Sequence, residues 1–308
     1  MTKKKVLIFG GNGLVGSACK RIFSKDKSYT TIVSTRSDTN LFNIDETKKT
    51  IEKIKPDVII NAAAKVGGIV ANNSLRSEFI LENLKININI FESCINFPEI
   101  MIINLGSSCI YPLNAPNPIK ESSFMEGKLE KTNSPYAMAK LTAIEIGRSL
   151  NIQFGHNVKN LMPTNLYGPF DNFSENESHV IPGLITRMKK AKDSNQSIFK
   201  VWGDGSPKRE FLYVDDLASA IKFVIENNIS QDLINVGSGI EISIKELAYE
   251  IRDLIKFKGK IEFDKNMPNG NPRKLLDNSL LKNYGWFPEV QLKAGLQKTY
   301  DWFLNSLS

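Results

Sequence analysis

The run Val6-Leu7-Ile8-Phe9-Gly10-Gly11-Asn12-Gly13-Leu14-Val15-Gly16 decides the fold. Four apolar residues in a row, closed by glycine, read as a parallel strand buried on both faces. The glycines then open a helix over residues 14–23. They fit two registers, GxxGxxG through Gly10, Gly13 and Gly16 or GxGxxG through Gly11, Gly13 and Gly16. Gly10 abuts the strand, which favours the first. In either register the backbone can approach a pyrophosphate, whose charge meets free amides and the helix dipole around Leu14 and Val15. The expected fold class is α/β, with a Rossmann-type doubly wound parallel sheet.

Thr31-Ile32-Val33 reads as the second strand. An acidic residue just beyond it would take the ribose hydroxyls of NAD. The chain has Ser34-Thr35-Arg36 instead, and Arg36 suits a 2′-phosphate, which favours NADPH/NADP as cofactor. A helix within residues 45–55 and a strand at Val58-Ile59-Ile60 lead to Ala62 and Ala63, small enough for a cofactor to lie close. Val66 to Asn73 reads as a glycine-containing loop over the site. A helix from about Phe79 to Phe97 then precedes a strand from Met101 to Leu105.

Ser107 falls just past the carboxyl end of that strand, where open α/β sheets bind their ligands. In Ser134-Pro135-Tyr136-Ala137-Met138-Ala139-Lys140, Ser134 reads as a helix N-cap and Pro135 as the first helical residue. Tyr136 and Lys140 then lie one turn apart on one face. An ammonium beside the phenol stabilises the phenolate and lowers a pKa of about 10, so Tyr136 can exchange a proton near neutral pH. Ser107 would hold the carbonyl oxygen under reduction. A YxxxK spacing is common by itself; the dinucleotide turn and a Ser at a strand end supply the context that makes it chemistry.

Beyond the strand at Asn160-Leu161-Met162 the βα alternation breaks up. Residues 1–165 are expected to form the NADP-binding domain. Residues 166–308 are expected to form a smaller mixed α/β substrate domain, with the segment near 211–236 returning to the first sheet. With 308 residues there is ample chain for a core. The net charge of +7 comes from dispersed lysines without a nucleic-acid motif, so no nucleic-acid partner is expected. No apolar run reaches the ~18 residues of a membrane span and the start lacks a signal-peptide core, which reads as cytoplasmic with no membrane partner. Cys19, Cys94 and Cys109 have no metal or disulfide spacing, so no metal is expected.

The glycine turn, the Ser107/Tyr136/Lys140 set, Arg209-Glu210-Phe211 and Val214-Asp215-Asp216 resemble the extended short-chain dehydrogenase/reductase family. Ala62 to Asn73, Leu105 to Pro112, Met162 to Pro169, Ser178 to Pro182 and Pro272 to Asp277 resemble its GDP-L-fucose synthase group nearly end to end. The resemblance implies a GDP-linked 4-keto-6-deoxy sugar as substrate, NADPH as hydride donor, epimerisation at C3 and C5, reduction at C4, and a homodimer paired through helices of the first domain. It makes Cys109 the base and His179 the acid of epimerisation. It adds Leu105, Gly106, Lys140, Pro163, Asn165 and Leu166 to the cofactor site. To the sugar nucleotide it gives Ser108, Asn165, Val180, Arg187, Trp202, Arg209 and Asn269.

Two positions depart from the group's pattern. A Pro-Asp-Gly is here Pro268-Asn269-Gly270, which removes a carboxylate, and a frequent Arg in the glycine turn is Asn12. Relatives with this scaffold act on other GDP-4-keto sugars, so a C4 reductase of a 6-deoxy-heptose without epimerase activity is the alternative. Sugar-nucleotide dehydratases and 4-epimerases come next. A non-catalytic dinucleotide-binding regulator would not need Ser107, Tyr136 and Lys140 together.

Overall fold

The computed structural model describes residues 3–175, 177–267 and 269–307; Pro268 lies outside them. In chain order its first half runs β1 (Lys4–Phe9), α1 (Leu14–Phe23), β2 (Tyr29–Ser34), α2 (Ile44–Ile54), β3 (Val58–Asn61), α3 (Ile69–Ser74), α4 (Arg76–Cys94), β4 (Met101–Leu105), α5 (Ser134–Phe154) and β5 (Asn157–Pro163). The second half runs β6 (Asn165–Tyr167), α6 (Val180–Asp193), β7 (Ile198–Trp202), β8 (Lys208–Tyr213), α7 (Val214–Glu226), β9 (Leu233–Val236), β10 (Glu241–Ser243), α8 (Ile244–Ile255), β11 (Lys260–Asp264), β12 (Arg273–Lys274), α9 (Ser279–Tyr284) and α10 (Leu292–Leu307).

The large sheet is six-stranded and parallel, in the order β2-β1-β3-β4-β5-β9. Its central strands are apolar on both faces because helices cover both, with Val6, Ile8, Val58 and Ile60 in one core and Leu7, Phe9, Ile59 and Ile102 in another. From β1 the chain steps out to β2 and then crosses back to β3 on the other side. The carboxyl ends of β1 and β3 therefore diverge, which is where doubly wound sheets bind ligands. Gly10 sits at that point with φ of 78°, and a Cβ there would come 2.7 Å from the Ala63 amide nitrogen. Only glycine meets both demands.

A smaller sheet has the order β10-β8-β12 with β6 also paired to β8, and β11-β7 form a separate parallel pair. These strands and α6, α8 and α10 share a third core around Leu184, Met188, Phe199, Leu247 and Phe303. Sheet membership does not divide at residue 165. β9 is the last strand of the large sheet and α7 packs on α1, whereas β8 stays in the small sheet. The two layers are tied through Glu210 of β8, which is fully buried. Its carboxylate accepts from Gly239 N at 2.6 Å, Leu276 N at 3.1 Å and Asn278 Nδ2 at 3.2 Å.

Three local expectations need correction. The loop from Val66 to Asn73 contains the start of a short helix, α3. Helix α4 begins at Arg76, three residues before Phe79, and ends at Cys94. Helix α5 begins at Ser134, so Asn133 is its N-cap and Pro135 is its second residue. Ser134 is not the cap because its hydroxyl turns back to the Lys131 carbonyl at 3.3 Å and receives Arg76 at 3.1 Å.

Candidate active site

Two cavities lie along the carboxyl edge of the large sheet. The first, of about 510 Å³, is at the switch point and is lined by Gly10, Asn12, Gly13, Arg36, Ala62 and Ala63, among others. Its fit to a dinucleotide rests on the glycine turn. A Cβ at Gly16 would lie 2.2 Å from the Gly10 carbonyl oxygen, so α1 can start close under the turn only with glycine there. No side chain caps α1 at Gly13 and no acidic residue occupies its first turn. The amides around Leu14 and Val15 are thus open to a phosphate. Exposed Arg36 stands over the Phe42 ring at 5.2 Å, which leaves its guanidinium at the cavity wall.

The second cavity, of about 350 Å³, brings together Ser107, Ser108, Cys109, Tyr136, Asn165, His179, Val180, Arg187, Trp202, Arg209 and Asn269. These come from seven separate stretches of chain, so only the fold assembles them. Ser107 follows β4 and is the cap of a single 3₁₀ turn, Ser108–Ile110, where its Oγ accepts from Cys109 N at 3.3 Å. That turn fixes Cys109 beside Ser107.

Lys140 lies behind the wall of this cavity rather than on it, 3% exposed, and donates to the Leu105 carbonyl at 2.7 Å. Burial brings its pKa down from 10.5 to about 8, with Cys109 pulling the other way. Tyr136 is pushed well above its ordinary value, mainly by burial and also by Cys109. This corrects the expectation of a Tyr pKa lowered by Lys140: the Nζ stands 5.6 Å from the ring centroid and spends a hydrogen bond on Leu105. At neutral pH Tyr136 is a protonated donor, as a reduction needs.

Burial raises the Cys109 thiol, while Lys274, a Ser107 hydrogen bond and Lys140 pull it back and Glu130 raises it. His179 has its surface open to the cleft, yet the surrounding protein desolvates it and lowers its pKa. Arg187 lies over Phe199 and Trp202, 5.5 and 5.4 Å from the ring centroids, and Trp202 leaves 42% of its surface exposed. A flat apolar face beside two arginines suits a purine and a pyrophosphate. Burial lowers Arg187 and Arg209 from the usual guanidinium value, with Glu175 and Glu130 respectively opposing it. Asn269 Oδ1 accepts from Asp204 N at 2.9 Å, so where the group's carboxylate stands this side chain holds the turn after Trp202.

Of the remaining sequence candidates, Leu14, Val15 and Leu166 pack on the first core. Gly16, Leu105, Gly106 and Pro163 are buried and line neither cavity. Lys274 and Glu130 were not singled out by sequence reasoning, yet both line the second cavity. Lys274 is carried there by β12, paired through it to Arg209 of β8. Its signal was present within Pro272-Arg273-Lys274-Leu275-Leu276-Asp277, but a two-residue strand has no periodicity to read. Glu130, held by Thr132 at 2.7 Å, gave no signal at all. Among the described residues no cluster of His, Cys, Asp and Glu could hold a metal, and no helix is long and apolar enough to cross a membrane.

Comparison with known proteins fits this geometry. Residues 6–237 match the NAD dependent epimerase/dehydratase family. The chain is 42% identical to the GDP-L-fucose synthase of Escherichia coli (strain K12), over 99% of this chain and 98% of that one. Among solved structures it resembles a GDP-6-OMe-4-keto-L-xylo-heptose reductase from C. jejuni, with a TM-score of 0.92, 28% identity and 99% of each chain covered. It also resembles a GDP-L-fucose synthetase from Naegleria fowleri bound to NADP, with a TM-score of 0.89, 30% identity, and 100% and 96% covered. A glycine turn at the switch point, Ser107, Tyr136 and Lys140 at the neighbouring cavity and a full-length match place this chain in the NAD dependent epimerase/dehydratase family, in the GDP-L-fucose synthase group of the extended short-chain dehydrogenases/reductases.

Proposed function

We propose that the protein is an NADPH-dependent C4 reductase of a GDP-4-keto-6-deoxy sugar that first epimerises C3 and C5, forming GDP-L-fucose or a near relative. The observation that carries this is the meeting in one cavity of two sets of groups: Ser107 and Tyr136 for a carbonyl oxygen, and Cys109 and His179 for carbon protons. Protons on C3 and C5 are acidic because the electrons left behind delocalise onto the C4 oxygen. Ser107 and Tyr136 stabilise that oxygen as charge develops. The Cys109 thiolate takes the proton from one face and His179 returns one from the other, which inverts the carbon. Once the thiol has released that proton to solvent and the imidazole has taken one up, the same exchange at the second carbon completes the epimerisation.

When bound, NADPH supplies hydride to C4. Tyr136 then gives its phenolic proton to the oxygen, so the carbonyl becomes a hydroxyl, and the Lys140 ammonium offsets the phenolate and would hold the nicotinamide ribose. Gly10, Gly13, Leu14, Val15 and Gly16 would hold the pyrophosphate and Arg36 the 2′-phosphate. Arg187, Arg209 and Trp202 would hold GDP, with Ser108, Asn165, Val180 and Asn269 around the sugar nucleotide. The NADP-bound relative supports NADPH. The family match supports the GDP-sugar class.

The C. jejuni heptose reductase keeps a second reading in play, C4 reduction of a 6-deoxy-heptose without inversion. One experiment separates the two. Purified protein and NADPH are incubated in heavy water with GDP-4-keto-6-deoxy-mannose and with its heptose analogue, and the products are identified by NMR. Inverted product with deuterium at C3 and C5 is expected; reduced product with no label at either carbon would establish the second reading.

A further inference from the structure

The segment Gly67-Gly68 and helix α3 pack against Glu177 and Ser178, the residues leading into His179. Gly68 N donates to the Glu177 carbonyl at 2.9 Å. A Cβ on Gly68 would lie 2.6 Å from the Ser178 carbonyl oxygen. The φ of Gly68 is −65°, open to any residue, so it is space and not conformation that requires glycine here. Asn72 fastens the segment from the other side: its Nδ2 donates to the carbonyls of Gly67 at 2.7 Å and Gly68 at 3.1 Å. Gly67 in turn lies against Phe79, so that a Cβ on Gly67 would stand 3.2 Å from the ring, and Phe79 meets the Tyr136 ring edge-on with centroids 6.2 Å apart. On its far side His179 is the N-cap of α6, its carbonyl accepting from Gly183 N at 3.0 Å.

From these contacts we infer that Gly68 and Asn72 are positioning residues for the proton-donating face of the site: they set the Glu177–Ser178 backbone, and with it His179, opposite Cys109. The inference rests on the epimerase reading of the same cavity. Continuous packing from Tyr136 through Phe79 and Gly67 to Gly68 and the Glu177–Ser178 backbone gives one rigid reference for both the group that protonates oxygen and the group that protonates carbon. Inversion needs two groups on opposite faces of one ring, so it is sensitive to a shift of His179. Reduction at C4 uses Ser107, Tyr136 and Lys140, which are held by β4 and α5, so it is less sensitive. Gly68 and Asn72 thereby govern the partition between inverted and merely reduced product.

The test compares wild-type protein, Gly68→Ala, Asn72→Ala and His179→Asn with NADPH and the 4-keto-6-deoxy sugar in heavy water. The readouts are the ratio of C3/C5-inverted to non-inverted C4-reduced product by NMR, and thermal unfolding of each variant. The ratio is expected to fall at least about tenfold in Gly68→Ala and in Asn72→Ala, toward that of His179→Asn, as misplacement of a reacting group by about 1 Å does. A ratio unchanged in folded Gly68→Ala overturns the inference; should that variant not fold, an unchanged ratio in Asn72→Ala does so. Wild-type protein that reduces without inverting removes the epimerase reading itself, and the inference falls with it.

Discussion

Tyr136 and Lys140 share a helix face and are pushed in opposite directions by the same cause. Both are desolvated by the surrounding protein, so each favours its neutral form: the phenol stays protonated and the ammonium gives up its proton at about 8. Lys140 must be charged to offset a phenolate, so reduction should fall as pH rises through about 8 and stay level below it, which initial rates of NADPH oxidation from acid to alkaline pH can check. Tyr136→Phe should slow that reduction by about 100-fold or more, because general-acid catalysis is typically worth that much, with binding of the GDP sugar largely retained. An unchanged turnover would remove Tyr136 from the chemistry. Burial raises Cys109 and lowers His179, so at neutral pH both rest mostly neutral, and the proposed epimerisation draws on the minority in which the thiol is ionised and the imidazole protonated. Ser107, Tyr136 and Lys140 stood out in the sequence as candidates because they flank recognisable elements, the end of β4 and the start of α5. The direction of the Tyr136 shift was not legible there, because burial is a property of the packed site.

Elements carry these residues to their places, and β8 carries the most. It bears Arg209 toward the sugar cavity while Glu210, the next residue, points the other way and receives three donors from the connections after β9 and β12. Glu210→Ala leaves those donors buried without an acceptor and should cost about 3–5 kcal/mol of stability, measured by urea unfolding. Glu210→Gln keeps a carbonyl acceptor and should cost less. At β2, Arg36 stands at the cofactor cavity with no carboxylate offered to the ribose hydroxyls in Ser34-Thr35-Arg36. Arg36→Asp should therefore lower kcat/KM for NADPH at least about tenfold relative to NADH, the scale of one lost charge-assisted contact plus a repelled phosphate. Equal use of the two cofactors by both proteins would argue against Arg36 as the discriminating residue. Long elements with apolar cores, such as β1, β4 and α5, were readable from the residues alone. Helix α3 and strand β12 were not: each is too short to show a period, and each forms only because a neighbouring segment pairs with it.

At the scale of the whole molecule, helices α4 and α5 pack side by side and leave Leu81, Ile88, Met138 and Ile152 exposed. An apolar surface on two adjacent helices of the first domain supports the proposed homodimer. Sedimentation should find a dimer, and Leu81→Lys with Ile88→Lys should shift it to monomer; a wild-type monomer at micromolar concentration would remove this proposal. By itself the sequence determined the α/β class and the glycine turn after β1, and it singled out Ser107, Tyr136 and Lys140 as candidates, since each is written in residues near one another and obeys a strand or helix period. Only the tertiary structure decided that Lys274 and Glu130 join the sugar cavity, that Lys140 is spent partly on Leu105, and that Gly68 leans on the carbonyl before His179. Those contacts join stretches far apart in the chain. Their distances and their dielectric surroundings come into being only when the two sheets close on each other.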